Sequence, residues 1–155
     1  MRIRLLSIKQ HEDYLRRAKT MVVSDLGINP VSVDVGVFDH RLYLALYDQS
    51  SAAPAGFMEA DFYDQVFIDA EHSPLANMPE LAARCKFHEL AHLRTIYVEP
   101  SYRRATAAYS SLYLAMAVVL GRLGARFATT TTDARNSALI ELYRKTGGRY
   151  VAQYR

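Results

Sequence analysis

From Arg2 to Ile8 the chain alternates apolar and polar side chains, the two-residue period of a half-buried strand. Leu15, Ala18, Met21 and Val22 then recur at helical spacing until Gly27 stops the pattern. Val31 to Phe38, Arg41 to Tyr47 and Ala55 to Phe62 predict three further strands, the last two separated by a turn at Ser50-Ser51-Ala52-Ala53-Pro54. In the insertion from Asp64 to Arg84 the pattern weakens, and Pro79 followed by Glu80, Leu81 and Ala82 predicts a short helix. His92 to Val98 carries the Thr, Ile, Tyr and Val of a strand, and Pro100 closes it.

A long helix from about Arg104 to Leu123 follows. It places Leu112, Ala115, Met116, Val119 and Leu123 on one stripe, and it is apolar nearly all round, which predicts deep packing. After Gly124 come a strand at Arg126 to Thr131, a helix at Ser137 to Lys145 and a last strand at Arg149 to Gln153. This order implies an α/β chain with a central mixed β-sheet and helices on both faces.

A chain of 155 residues, 50% hydrophobic and 23% charged, suits one folded domain and excludes disorder. The net charge of +3 is too small and too dispersed to indicate nucleic acid, and a phosphorylated small molecule accounts for it equally well. The single cysteine, Cys85, cannot form an internal disulfide and reads as a small apolar side chain, as a reducing cytoplasm allows. The N-terminus has no signal-peptide core, and the longest apolar run, Leu112 to Leu120, is too short to span a bilayer, so a soluble chain is expected.

Candidate chemistry centres on Val98-Glu99-Pro100-Ser101-Tyr102-Arg103-Arg104, where a strand gives way to a helix. Free backbone N–H groups and the positive helix end suit a phosphate there, and Arg103 and Arg104 add donors. The segment resembles the pyrophosphate loop of the GCN5-related N-acetyltransferase (GNAT) family, usually Val-x-Pro-x-Tyr-Arg running into Arg/Gln-x-x-Gly-x-Gly/Ala. Arg103 and Ala108 keep that pattern, while Thr106 replaces a glycine. Downstream, Asn136, Leu142, Tyr143 and Gly147 keep the spacing of the family's Asn-x6-Tyr-x3-Gly-Phe ending, with Gly148 in place of phenylalanine.

The resemblance implies the GNAT acyl-CoA N-acyltransferase fold over residues 1–155, with an acyl-CoA-binding core at 93–148. Tyr97, Val98, Arg103, Arg104, Ala105, Thr106, Ala107, Ala108 and Asn136 would bind acetyl-CoA, and Tyr143 would protonate the leaving thiolate. His92 and Glu89 are the candidate bases for the attacking amine, with Glu59 and Asp61 behind them. Strand alternation puts His92 on the face of Val98, with a pKa suited to neutral pH, whereas Glu89 would need burial to raise its own.

His88-Glu89-Leu90-Ala91-His92 is also a literal His-Glu-x-x-His string, the zinc pattern of a metallopeptidase helix, with Glu99 or Glu141 as a third ligand. The strand signal of Thr95-Ile96-Tyr97-Val98 argues against it, since residues four apart on a strand lie about 13 Å apart. No metal is therefore expected.

The expected activity is N-acyl transfer, most simply acetyl transfer, from acyl-CoA to an amine by direct attack in a ternary complex. The acceptor is a small molecule or a protein. Three alternatives stay open: an N-acyl amino acid or acyl-homoserine-lactone type synthase fed by acyl carrier protein, the zinc peptidase, and a non-catalytic domain of the same fold. A homodimer is compatible with all of them.

Overall fold

The computed structural model describes residues 1–25, 41–62, 89–103, 107–130 and 137–148. The strand expected at 31–38, the insertion helix after Pro79 and the last strand at 149–153 lie outside the described residues, as do Cys85 and His88. In chain order the elements are β1 (Arg2–Leu5), α1 (Ile8–Asp25), β2 (Arg41–Tyr47), β3 (Pro54–Phe62), β4 (Leu90–Val98), a 3-10 turn (Pro100–Tyr102), α2 (Ala107–Arg122), β5 (Phe127–Thr130) and α3 (Ser137–Lys145). The five strands lie in sequence order, antiparallel from β1 to β4, and β5 then joins β4 in parallel. The parallel step needs a crossover, and α2 supplies it.

Alternation along the strands sorts side chains onto two faces. Leu44, Leu46, Met58, Ala60, Ala91, Leu93 and Val98 meet Ala108, Leu112, Met116 and Leu120, an i, i+4 stripe of α2. Tyr43, Ala45, Phe57 and Tyr97 meet Leu15 and Ala18 of α1 on the opposite face. Helices therefore cover both faces of a mixed sheet, as the element order implies.

One expectation about the long helix changes. Its described residues run from Ala107 to Arg122, beyond a 3-10 turn at Pro100–Tyr102. Although almost wholly apolar, it lies on the outside of the sheet and packs along one side, leaving Leu114 60%, Val118 55% and Leu123 53% exposed.

The helix ends are set by glycines with positive φ. Gly124 (φ 101°) follows α2, and Ala125 N–H donates to Leu120 O at 2.9 Å; Gly147 (φ 88°) follows α3, and Gly148 N–H donates to Tyr143 O at 2.8 Å. Both are six-to-one closures that need a left-handed residue after the helix. The Gly147-Gly148 pair thus holds the helix end from which Tyr143 projects, and a Cβ on Gly148 would stand 2.8 Å from Tyr143 O.

Gly56 of β3 has a different reason to be glycine: a Cβ there would lie 2.7 Å from Tyr97 O and 3.3 Å from Val98 Cα. Gly56→Ala should cost roughly 1–3 kcal/mol in chemical denaturation. Gly121→Ala, in the last turn of α2 where an added Cβ meets nothing within 4 Å, should stabilise by roughly 0.5 kcal/mol. Equal and opposite-to-expected shifts in the pair would show that β3 does not need that close approach.

Candidate active site

Where the two strands pair, Ala91 to Val98 of β4 contain one residue more than Gly56 to Phe62 of β3. Glu59 pairs with Thr95 and Ala60 with Leu93, so Arg94 is the extra residue of a β-bulge. Between β4 and β5 the described pairing runs from Leu90–Phe127 to Leu93–Thr130 and ends where the bulge begins. Beyond that point, among the described residues, Thr95 to Val98 pair only with β3.

Tyr143, on α3, stands beside the last described rung of the β4–β5 ladder. Its side chain packs against the α2-side core and its ring lies 5.8 Å from that of Tyr113. The Thr130 hydroxyl donates to Leu93 O at 3.0 Å and lies 3.4 Å from the Tyr143 hydroxyl. Burial pushes the Tyr143 phenol above its ordinary pKa, against a lowering by Thr130, so it keeps its proton through the physiological range. A phenol in this state can donate a proton but is not a base.

The loop after β4 is described at both ends. Val98 is buried in the core, whereas Tyr97 faces α1 and donates its hydroxyl to Glu99 Oε2 at 3.0 Å. For a ligand along the edge, these two residues can therefore offer main-chain groups and not side chains. Tyr102 donates its hydroxyl to Asp48 Oδ2 at 3.2 Å. The Arg103 guanidinium spends Nε on Val98 O at 2.9 Å and lies 5.7 Å above the Tyr97 ring, while the residue as a whole is exposed. That grip fixes the guanidinium beside the strand end and leaves its terminal nitrogens to the solvent side, the disposition an anion needs. Ala107 opens α2 at the surface and Ala108 is buried beneath it. Arg104, Ala105, Thr106 and Asn136 lie outside the described residues.

His92 departs from expectation. The extra residue at Arg94 reverses the alternation, so His92, paired with Asp61, faces α1 while Val98 faces α2. Its Nδ1 lies 3.1 Å from Thr129 Oγ1. Burial, reinforced by the Arg94 charge and opposed by Asp61, lowers the imidazole pKa to about 4, well below the neutral value that the sequence suggests. Glu89 sits in the turn before β4, where its carbonyl accepts the Arg126 and Phe127 N–H groups at 2.8 and 3.0 Å.

The zinc alternative loses its geometry. Glu89 is in a turn and His92 in a strand, so no helix carries the motif. Glu99 is held by Arg17 at 2.7 Å and by Tyr97, and Glu141 pairs with Lys145 at 2.8 Å on the surface of α3. Among the described residues, no three His, Cys, Asp or Glu side chains gather to hold a metal ion.

On the α1 face, next to His92, lies an ionic network that the sequence did not reveal. Lys19 meets the fully buried Glu59 at 3.0 Å, and Tyr43 donates to the same carboxylate oxygen at 3.1 Å. Arg41 grips Asp61 with two bonds of 2.6 and 3.1 Å, and Arg94 reaches Asp61 at 2.9 Å and Glu59 at 3.7 Å. The only early sign was the unusual density of charge on strand positions that alternation assigns to a core face. Thr130 was equally hidden inside a threonine run that reads simply as strand.

The chain matches the model of the acetyltransferase (GNAT) family over residues 11–148. The comparison with curated proteins finds no match. Among solved structures, the aminoglycoside N-acetyltransferase AAC(6')-Iy in complex with CoA is 18% identical, with 99% of this chain and 98% of that one covered and a TM-score of 0.63. A probable acetyltransferase is 15% identical, covering 100% of this chain and 94% of that one, with a TM-score of 0.69. The aminoglycoside acetyltransferase meta-AAC0020 from an uncultured soil metagenomic sample, in complex with sisomicin, is 10% identical, covering 99% and 93%, with a TM-score of 0.63. At these identities the likeness shows the fold, whereas the family match spans both β4 and the Tyr143 helix. The chain therefore belongs to the GNAT acetyltransferase family, and is an acyl-CoA-dependent N-acyltransferase.

Proposed function

We infer that this acyltransferase passes an acetyl group from acetyl-CoA to an amine of a small molecule, by direct attack within a ternary complex. The observation that carries this reading is the Tyr143 hydroxyl, 3.4 Å from Thr130 Oγ1 at the last described rung of the β4–β5 ladder. Small amine acceptors are favoured because structures of the same fold are aminoglycoside acetyltransferases, one of them bound to sisomicin.

The β4 edge beyond Leu93 lines up the pantetheine amides, and the Arg103 guanidinium and the start of α2 at Ala107 and Ala108 meet the pyrophosphate. By the resemblance alone, Arg104, Ala105 and Thr106 belong to the same phosphate loop and Asn136 to the pantetheine arm; all four lie outside the described residues. The amine nitrogen attacks the thioester carbonyl; a C–N bond forms, the C–S bond breaks, and the thiolate takes its proton from Tyr143. Positioning and polar complementarity supply most of the rate. The amine's proton leaves through His92 or Glu89. His92 is uncharged at every pH above about 4, so it can always accept, but it binds a proton weakly and serves as a relay to solvent.

Incubating the protein with acetyl-CoA and a panel of amines, with thiol release as the readout, tests the reaction class. Release stimulated by at least one small amine is expected, and none with any amine or peptide would sink it. Tyr143→Phe should lower kcat about 100-fold while changing the Kd for acetyl-CoA less than about threefold. Equal activity in variant and parent would remove Tyr143 from the mechanism.

The depressed His92 pKa makes a prediction about stability. Between about 4 and 6.5 the unfolded chain binds a proton at this imidazole that the folded chain does not, so this contribution is complete above 6.5 and is lost as pH falls towards 4. Denaturation curves should show stability rising across that window by roughly 1–3 kcal/mol, a slope that His92→Gln flattens. An unchanged slope in the variant would mean that His92 titrates normally in the fold.

A further inference from the structure

The bulge in β4 is where the acyl-CoA edge begins, and the residue that creates it carries a charge. Within the paired stretch from Ala91 to Val98, Arg94 is the residue with no counterpart on β3. Bulged residues leave the ladder locally open, and the strand can slide back into regular pairing unless something else holds the extra residue. Here the Arg94 side chain turns back across β3: Nη1 donates to Asp61 Oδ2 at 2.9 Å, and Nε lies 3.7 Å from Glu59 Oε1.

Both carboxylates are already fixed in place. Arg41, 4% exposed, grips Asp61 with two bonds and reaches Glu59 at 3.4 Å, and Lys19 ties Glu59 to α1. Burial acts against the Asp61 carboxylate, but the arginines hold its pKa below the ordinary value, so it stays charged at neutral pH. Arg94 is thus clamped by a rigid, buried anionic pair, although its own side chain is 36% exposed.

The next residue along the chain is Leu93, whose carbonyl receives the Thr130 hydroxyl, which in turn neighbours Tyr143. On the other side, Thr95 to Val98 pair with β3 and lead into the Pro100 turn. Resting on the acyl-CoA reading, the geometry points to Arg94 as a positioning residue: clamped by Asp61 and Glu59, it locks the β4 bulge and so sets the spacing between the acyl-CoA edge and the Tyr143 hydroxyl. A slip of one residue at this point would turn His92 over to the α2 face and carry Leu93 away from Thr130.

Hydrogen exchange on the full chain without ligand tests the lock directly. In Arg94→Met the amides from Leu93 to Ile96 should exchange about five- to tenfold faster than in the parent, with those of β1 and β2 unchanged. Calorimetric titration should show acetyl-CoA binding weakened about five- to tenfold, with the melting temperature within a few degrees of the parent's. Arg94→Lys, which keeps the charge and the reach, should recover most of both effects, and Asp61→Asn should reproduce them.

Unchanged exchange around the bulge in Arg94→Met overturns the inference. So does a loss of melting temperature with acetyl-CoA affinity intact. A parent protein that fails to bind acetyl-CoA would instead sink the acyl-CoA reading, while the exchange result still decides whether Arg94 holds the bulge.

Discussion

A single extra residue in one strand organises the working half of this molecule. In a sheet with a two-residue period, inserting one residue exchanges the faces of everything on one side of it. In β4 the insertion is Arg94, and its effect is visible on both sides: Ile96 and Val98 share the α2 face with Leu93 and Ala91, although simple parity would separate them. The same step marks the end of the described β4–β5 pairing. The apolar seal of the sheet and the side on which His92 stands both follow from it.

The charge on the α1 face is the counterpart of that step. Glu59 is fully buried, and one of its carboxylate oxygens, Oε2, finds no hydrogen-bond partner, an arrangement that typically costs about 1–3 kcal/mol. Three cations converge on Glu59 and Asp61, and the network joins α1, β2, β3 and β4. Buried ion pairs of this kind contribute little net stability compared with well-packed apolar residues, and a role in specifying a unique arrangement explains their presence better. Here the arrangement specified is the register of β4 against β3. Burial lowers the Lys19 pKa and nearby Glu59 raises it, so this pair depends on its geometry for its charge.

Different physics holds the residues proposed for the reaction. Around Tyr143 it is backbone: the left-handed glycine that ends α3 and, elsewhere in the sheet, the close approach at Gly56. Around His92, which faces α1, it is buried charge, and the imidazole is tuned by desolvation more than by any single neighbour. Tyr143 packs against the α2-side core, so the two side chains lie on opposite faces of the sheet.

Much of this was legible in the chain itself. Arg41–Tyr47 and Ser137–Lys145 were readable to the residue, because their apolar periods are bounded by clear turn and cap signals. The family followed from two short motifs at the right spacing, since phosphate loops and helix-ending glycines need particular residue types at particular places. The bulge was not legible. A local pattern reports the period of a strand but not whether its partner skips a residue, so His92 was assigned to the wrong face. Nor was the ionic network, because Lys19, Arg41, Glu59, Asp61 and Arg94 come from four separate elements and look like ordinary surface charges until the sheet stacks them. The depth of α2 was overestimated for the same reason: an apolar helix shows what it can bury, and only the packed sheet decides which side it covers. Sequence alone thus determined the family, the order of elements and the chemistry available; tertiary structure decided which faces meet, because burial and register are properties of pairs of strands and not of one.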